Sequence, residues 1–408
     1  MPRAPIPFQE AIATGALFAA LTASSLWDYR LFNLRIFDGA ALALFAVWLV
    51  LSPEPLEGFM ERRRRYWLLF ATIVVYAAIG YWLLGHKSSL AIIGLSAIGF
   101  LLSGREDWLR RVGPYLWVIV GIHIVFFAIQ FGAYYGFNHT LIDFQELIGQ
   151  KSRLIVNEDH MRAAALFQEP NSYCLNLFLL SSLAILWRNN RLLVLLSGFT
   201  MILSESLWGL GAGLVLIFMG EIRRGHSWRQ LAYTLAAAFV ALGALFYAYL
   251  WVYKKPVSDV PYFYLRMRSL LIDDGSVNER YFKTACAQAN ASVEPAPESR
   301  ITSMLLGEGL STVHFERCLP ANGISFLLKS LGAAGTILLL AATAIALAGL
   351  PLGAKFFVVL AIGFNFTSYP LVTYVLFWFW LPALFGLVRL PTRTLPLGPA
   401  SPGEQLSR

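Results

Sequence analysis

Charge is what this chain has least of. Only 14% of its residues are charged, against about 25% in an ordinary soluble domain, while 57% are hydrophobic and the mean hydropathy is +0.60. That balance excludes a soluble globular enzyme. It fits a polytopic helical membrane protein, in which helices satisfy their own backbone polar groups away from water. Three cysteines in 408 residues exclude a disulfide-built scaffold. There is no Gly-rich phosphate loop, no Cys/His metal spacing and no internal repeat, so neither a nucleotide fold nor a metal cofactor is expected. The start of the chain has no basic run beyond Arg3 and no small-residue cleavage site, so the first apolar stretch is expected to be retained. A net charge of +8 would suit a nucleic-acid binder. The cations, however, sit mostly in short connections between apolar stretches, where the positive-inside effect accounts for them, and no nucleic-acid partner is expected.

What the chain does have is apolar stretches, at 9–26, 36–52, 66–84, 89–103, 112–134, 170–187, 191–205, 207–221, 230–252, 328–349, 354–368 and 371–388. They predict an all-α protein of about twelve transmembrane helices. Two long polar segments interrupt them, from 137 to 169 and from 253 to about 322. One alternating set of short connections and tails holds Arg3, Arg62, Arg63, Arg64, Arg65, Arg105, Arg110, Arg111, Arg188, Arg191, Arg223, Arg224, Arg229, Lys355, Arg389, Arg393 and Arg408. The other holds only Arg30, Arg35 and Lys87. The 17-to-3 asymmetry predicts cytoplasmic termini and two extracytoplasmic long loops. The expected division is helices over 1–136, a first loop over 137–169, central helices over 170–252, a large loop over 253–327, C-terminal helices over 328–389 and a disordered cytoplasmic tail over 390–408.

Cys174 lies in an apolar stretch and reads as a buried small hydrophobe. Cys286 and Cys318 share the second long loop. In an oxidising compartment they are expected to pair, closing about 30 residues for roughly 3–4 kcal/mol.

The chemistry-bearing residues gather in the loops. Tyr264 lies beside Arg266 and Arg268; aromatic rings stack on sugar faces and guanidinium forks grip phosphate. The same residues also suit an interfacial anchor at a helix end. Ser276 followed by Glu279 is a capping box that starts a helix near Val277, with Arg280 in its first turn, where a cation opposes the helix dipole. In the first loop Arg162 and Glu169 flank an apolar run that ends at Pro170, a residue suited to open a helix. Both are then expected at the mouth of the bundle, where ionisable groups suggest function. A cap with a snorkelling arginine is the alternative. His314 follows Gly307-x-Gly309 and has the imidazole of a general base, or of an ordinary exposed histidine.

In order, Arg162, Phe167-x-Glu169-Pro170-Asn171-Ser172, the break Ser204-Glu205-Ser206, Ser276 with Arg280, Gly307-x-Gly309, and Asn322-x-Ile324-Ser325-Phe326 before Gly332-x-x-Gly335 resemble the O-antigen polymerase and ligase superfamily of bacterial envelope proteins. The motifs cover about 160–335. The resemblance implies a membrane-embedded glycosyltransferase of the GT-C type in the bacterial inner membrane, with its active site facing the periplasm. It implies metal-independent inverting transfer from an undecaprenyl-pyrophosphate-linked oligosaccharide, with no cofactor. By the same resemblance Arg162 and Arg280 neutralise the leaving pyrophosphate, a task suited to positioned cations. Glu169 and His314 are candidate bases, and Arg266, Arg268, Tyr264, Asn171 and Asn322 are candidate substrate contacts. The lipid bilayer and a chain-length regulator are the implied partners. Ligase-type members carry Ser-Arg at the central break and His-Asn before the last helix. Here Ser204-Glu205-Ser206 and Ala321-Asn322 stand in those places, which favours polymerase over ligase. A transporter would place its ionisable groups and broken helices near mid-membrane instead.

Overall fold

The computed structural model describes residues 8–26, 36–53, 55–84, 88–105, 107–137, 141–146, 154–157, 160–204, 206–223, 305–307, 309, 323–367, 372 and 374–389. Arg266, Arg268, Tyr264, Arg280, His314, Asn322, Cys286 and Cys318, the expected stretch 230–252 and the tail 390–408 lie outside the described residues.

The described chain is helical almost throughout. Its helices are α1 Phe8–Ser24, α2 Ile36–Leu51, α3 Phe59–Leu84, α4 Ser88–Leu102, α5 Asp107–Val112, α6 Leu116–Gly136, α7 Pro170–Trp187, α8 Arg191–Leu203, α9 Leu207–Arg223, α10 Gly323–Leu347, α11 Leu352–Asn365 and α12 Val375–Arg389. A single 3-10 turn, Gly113–Tyr115, joins α5 to α6 in one rod. Phe59–Trp82, Asp107–Gly136 and Phe326–Leu347 are long and apolar enough to cross a membrane on their own; five shorter apolar helices accompany them. Large apolar side chains such as Trp82, Val50, Leu352 and Ile337 are mostly exposed, an arrangement that suits a hydrocarbon surround better than water. Hydroxyl residues within the helices spend their protons locally. Thr14, Thr22, Thr72, Thr336 and Thr343 each donate to the carbonyl four residues back, so they add no unsatisfied donor to an apolar face.

Helix ends are set by local chemistry. Pro170 opens α7 and Pro351 precedes α11. Asn190 caps α8 by accepting from the Leu193 N–H at 3.4 Å. α7 has no polar face. Fifteen of its eighteen residues are buried, because α6, α8, α9, α11 and α12 all pack on it. An all-round apolar helix is a central post.

Side-chain to backbone bonds gather the arginine-bearing connections at one end of the bundle. Arg63 is fully buried, donates to the carbonyls of Phe100 and Leu101, and lies 3.9 Å from the Phe59 ring. Arg65 reaches the Ala348 carbonyl and Arg105 that of Ser52. Trp117 donates to the Arg188 carbonyl at 2.6 Å, and Asn189 to that of Gly220 at 2.6 Å. These bonds tie the starts of α3, α5, α6 and α8 to the ends of α2, α4, α7, α9 and α10. At the opposite end Tyr135 of α6 meets Met161, Asn171 meets Ser206, and Trp208 donates to Thr367 at 3.1 Å.

This arrangement gives an expected outcome. Leu56 and Phe137 are exposed at opposite ends of the bundle. In a chain whose own cysteines are serine, cysteine at Leu56 and cysteine at Phe137 should react with an impermeant maleimide from opposite faces of sealed vesicles. Labelling of both from the same face would contradict the bundle's orientation.

The first polar segment is not simply a loop. Ile155–Asn157 pairs antiparallel with His160–Met161, a small exception to the expected all-α fold. After it, the chain turns into the bundle: Met161, Ala163, Ala164, Ala165 and Phe167 are at most 1% exposed.

Candidate functional site

Irregular backbone survives inside a helical bundle only if neighbouring groups satisfy it. Gln130 of α6 does most of this. Its side chain is fully buried; Oε1 accepts the N–H groups of Ala164 and Ala165 at 2.8 and 2.9 Å, and Nε2 donates to the Ile142 carbonyl at 2.8 Å. Tyr135 Oη donates to the Met161 carbonyl at 2.9 Å, and Gln145 Nε2 to that of Leu166. A run of three alanines leaves room for this close approach. Ala165 adopts a positive φ of 50° in the turn that the Phe167 N–H closes onto the Ala164 carbonyl, a conformation a non-glycine residue rarely holds.

Replacing Gln130 with leucine keeps the bulk and strands two N–H groups and one carbonyl. Each lost partner costs about 1–3 kcal/mol, so the variant is expected to lose roughly 3 kcal/mol or more of stability. Thermal unfolding in detergent reads this directly. An unchanged midpoint would show that the segment does not depend on the fork.

This anchorage positions Arg162. Its N–H donates to the Leu154 carbonyl at 2.7 Å, and the residue is half-buried. Glu169 is the N-cap residue of α7, in extended conformation, but its carboxylate makes no capping hydrogen bond. It is half-buried, as is Asn171 in the first turn. Asn171 Oδ1 accepts from Ser206 Oγ at 3.3 Å.

Ser206 and Ser204 account for the α8–α9 break. Ser206 Oγ accepts the Gly209 N–H at 3.2 Å, the N-cap bond of α9. Ser204 is the C-cap residue of α8; its hydroxyl donates to the Met201 carbonyl at 2.6 Å and lies 3.0 Å from Cys174 Sγ. With the serine proton committed to Met201, the thiol donates to Ser204. Cys174 is thus buried as expected and also hydrogen-bonded. Gly209 is obligatory at the crossing, since a Cβ there would lie 2.5 Å from Cys174 Sγ.

The structure therefore joins two separate stretches through Asn171 and Ser206: 162–171, with Arg162 and Glu169, and 204–206, with Ser204. Two helix N-termini, those of α7 and α9, meet there, each carrying about half a positive charge. The resulting potential favours an anion, and Glu169 is the carboxylate at its rim.

A second set of predicted residues meets on α10. Gly332 has φ 61° and ψ −171° and breaks the helix. The break frees the Ser330 carbonyl, which accepts the Gly309 N–H at 2.8 Å. Cβ atoms at Gly307, Gly309 and Gly335 would lie 2.4, 2.4 and 2.3 Å from Ser330, Gly80 and Tyr76 respectively. These glycines seat the end of the second long segment on α3 and α10.

The sequence reading passed over His123. It is buried in α6, with Nε2 3.0 Å from Ser25 Oγ and 3.2 Å from the Asn176 amide, and its ring 5.7 Å from that of Phe167. Ser25 donates to the Thr22 carbonyl. Nε2 thus lies within hydrogen-bond distance of both Ser25 Oγ and Asn176 Nδ2, and Nδ1 is left without a partner among the described residues. An ionisable group within an apolar run was the available signal. No group of three or more His, Cys, Asp or Glu among the described residues is placed to hold a metal ion.

Comparison with family models, with curated proteins and with solved structures finds no match to this chain. The fold itself defines the class: an all-helical protein whose long apolar helices suit a membrane.

Proposed function

We propose that the chain is a polysaccharide polymerase that joins undecaprenyl-pyrophosphate-linked repeat units by inverting glycosyl transfer, at the periplasmic face of a bacterial inner membrane. The supporting observation is the meeting of the N-termini of α7 and α9 through Asn171 and Ser206 at the end of the bundle opposite the arginine-bearing connections, with Arg162 in the buried segment that leads into α7. In this reading a hydroxyl of the acceptor sugar attacks the anomeric carbon of the donor. The bond from that carbon to the pyrophosphate oxygen breaks, and the electron pair leaves with the pyrophosphate. Arg162 and the helix termini stabilise that charge where it develops. Glu169, at the rim, takes the proton of the attacking hydroxyl. Arg280, Arg266, Arg268, Tyr264, Asn322 and His314 contribute from the second long loop, and no metal takes part.

Purified protein given lipid-linked repeat units should produce a ladder of lengthened lipid-linked glycan without an acceptor lipid. Transfer only after lipid A-core is added would make it a ligase. Folded protein that consumes no donor would remove the glycosyltransferase reading.

Two features favour a second reading as a transporter: the break in α10 at Gly332 and the buried His123–Asn176–Ser25 cluster. Transporters build sites from broken helices and intramembrane ionisable groups. Solute flux into proteoliposomes, with no change in donor length, would establish that alternative.

A further inference from the structure

At the arginine-bearing end a polar cavity of about 370 Å³ opens between the start of α1, the end of α2 and α5. It lies at the opposite end of the bundle from the site described above. Among the described residues four charged side chains line it, two of each sign: Glu10, Arg105, Asp107 and Arg111. Arg105 grips Asp107 through Nε and Nη2 at 3.1 and 2.8 Å, donates to the Ser52 carbonyl at 3.1 Å, and lies 4.4 Å from the buried Trp48 ring. Arg111 Nη2 pairs with Glu10 at 3.1 Å.

The two pairs are arranged alike. The cations are sunk, with side chains 7% and 24% exposed, and the carboxylates stand at the rim, at 40% and 44%. The cavity thus has a positive base and a negative lip, with no net charge. Arg111 Nη1 is buried without a partner among the described residues. Around the cavity Phe8, Val50 and Leu56 expose 82%, 78% and 88% of their surface, so the polar cavity is bordered by apolar surface.

We propose that this cavity binds the headgroup of a phosphatidylethanolamine-type lipid. The phosphate rests on Arg105 and Arg111, the ammonium on Glu10 and Asp107, and the acyl chains lie against the neighbouring apolar residues. A headgroup carries its phosphate toward the membrane and its ammonium toward water, the same order as the base and lip here. A purely anionic headgroup would face two carboxylates. A quaternary ammonium has no N–H to donate to them.

The test is native mass spectrometry of the full chain released from nanodiscs of mixed phosphatidylethanolamine, phosphatidylcholine and phosphatidylglycerol. The wild type should retain phosphatidylethanolamine about tenfold over either other lipid, the equivalent of one charge-assisted contact. R111Q should lose that preference, and E10Q should shift it toward phosphatidylglycerol. R64Q, which alters an exposed arginine away from the cavity at the same end, should keep it. Equal retention of all three lipids, a wild-type preference for phosphatidylglycerol, or an unchanged preference in both R111Q and E10Q would overturn the proposal. Displacement of the bound lipid by equimolar free phosphoethanolamine would overturn the lipid assignment.

Discussion

Replacing Arg162 with alanine is expected to slow the lengthening of lipid-linked glycan by roughly 10- to 150-fold. A lost charge-assisted contact is worth about 1.5–3 kcal/mol, and each 1.36 kcal/mol is tenfold in rate. The prediction is specific because the residue's backbone and side chain have separate tasks. The Arg162 N–H holds the Leu154 carbonyl, and any residue except proline preserves that bond. The segment around it is held by Gln130, Gln145 and Tyr135. R162A should therefore unfold near the wild-type temperature while its rate falls, whereas the Gln130 variant should unfold early. R162K keeps the charge and loses the planar fork, so an intermediate rate is expected. Near-normal lengthening by folded R162A would remove Arg162 from the proposed chemistry and leave it a structural cation.

Much of the architecture was legible in the sequence because helix limits are local. Pro170 marks the start of α7 to the residue, and the expected stretches 36–52 and 207–221 differ from α2 and α9 by no more than two residues at either end. The break at Ser204-x-Ser206 was readable as a break, since each serine caps its own helix. The burial of the segment after Met161 was not readable. It depends on Gln130, more than thirty residues earlier in an apolar run, and a single polar residue there does not reveal which carbonyl or N–H it will meet. His123 was missed for the same reason: its meaning lies in Ser25 and Asn176, from two other helices. For the candidate site, the sequence supplied Arg162, Glu169 and Asn171 as residue types at a helix start. That α9 would bring its own N-terminus to within 3.3 Å of Asn171 is a fact of packing.

The glycine contacts on α10 carry a second large expected effect on stability. Gly332 holds φ 61° with ψ −171°, a region essentially reserved for glycine, where a side chain costs about 2 kcal/mol. A Cβ there would also lie 2.4 Å from the Gly307 nitrogen and 2.5 Å from the Leu305 carbonyl oxygen. Both neighbours are backbone, so neither can swing aside as a side chain would. Overpacking of this kind adds about 1–3 kcal/mol, and G332A is expected to lose roughly 2–5 kcal/mol in total. Moving the backbone apart would stretch the Gly309 N–H bond to Ser330 and lift Gly309 from Gly80 of α3. G307A carries the same clash from the other side at φ 74°. The two substitutions act on one contact, so the double variant should lose less than the sum of the singles. Gly353 offers the control: it lies in α11, and nothing stands within 4 Å of its would-be Cβ. G353A should be neutral or stabilising by up to about 1 kcal/mol, the gain in helix propensity. Detergent unfolding midpoints of the four variants decide the matter. G332A as stable as G353A would mean that the end of the second long segment does not rest on α10 through these glycines.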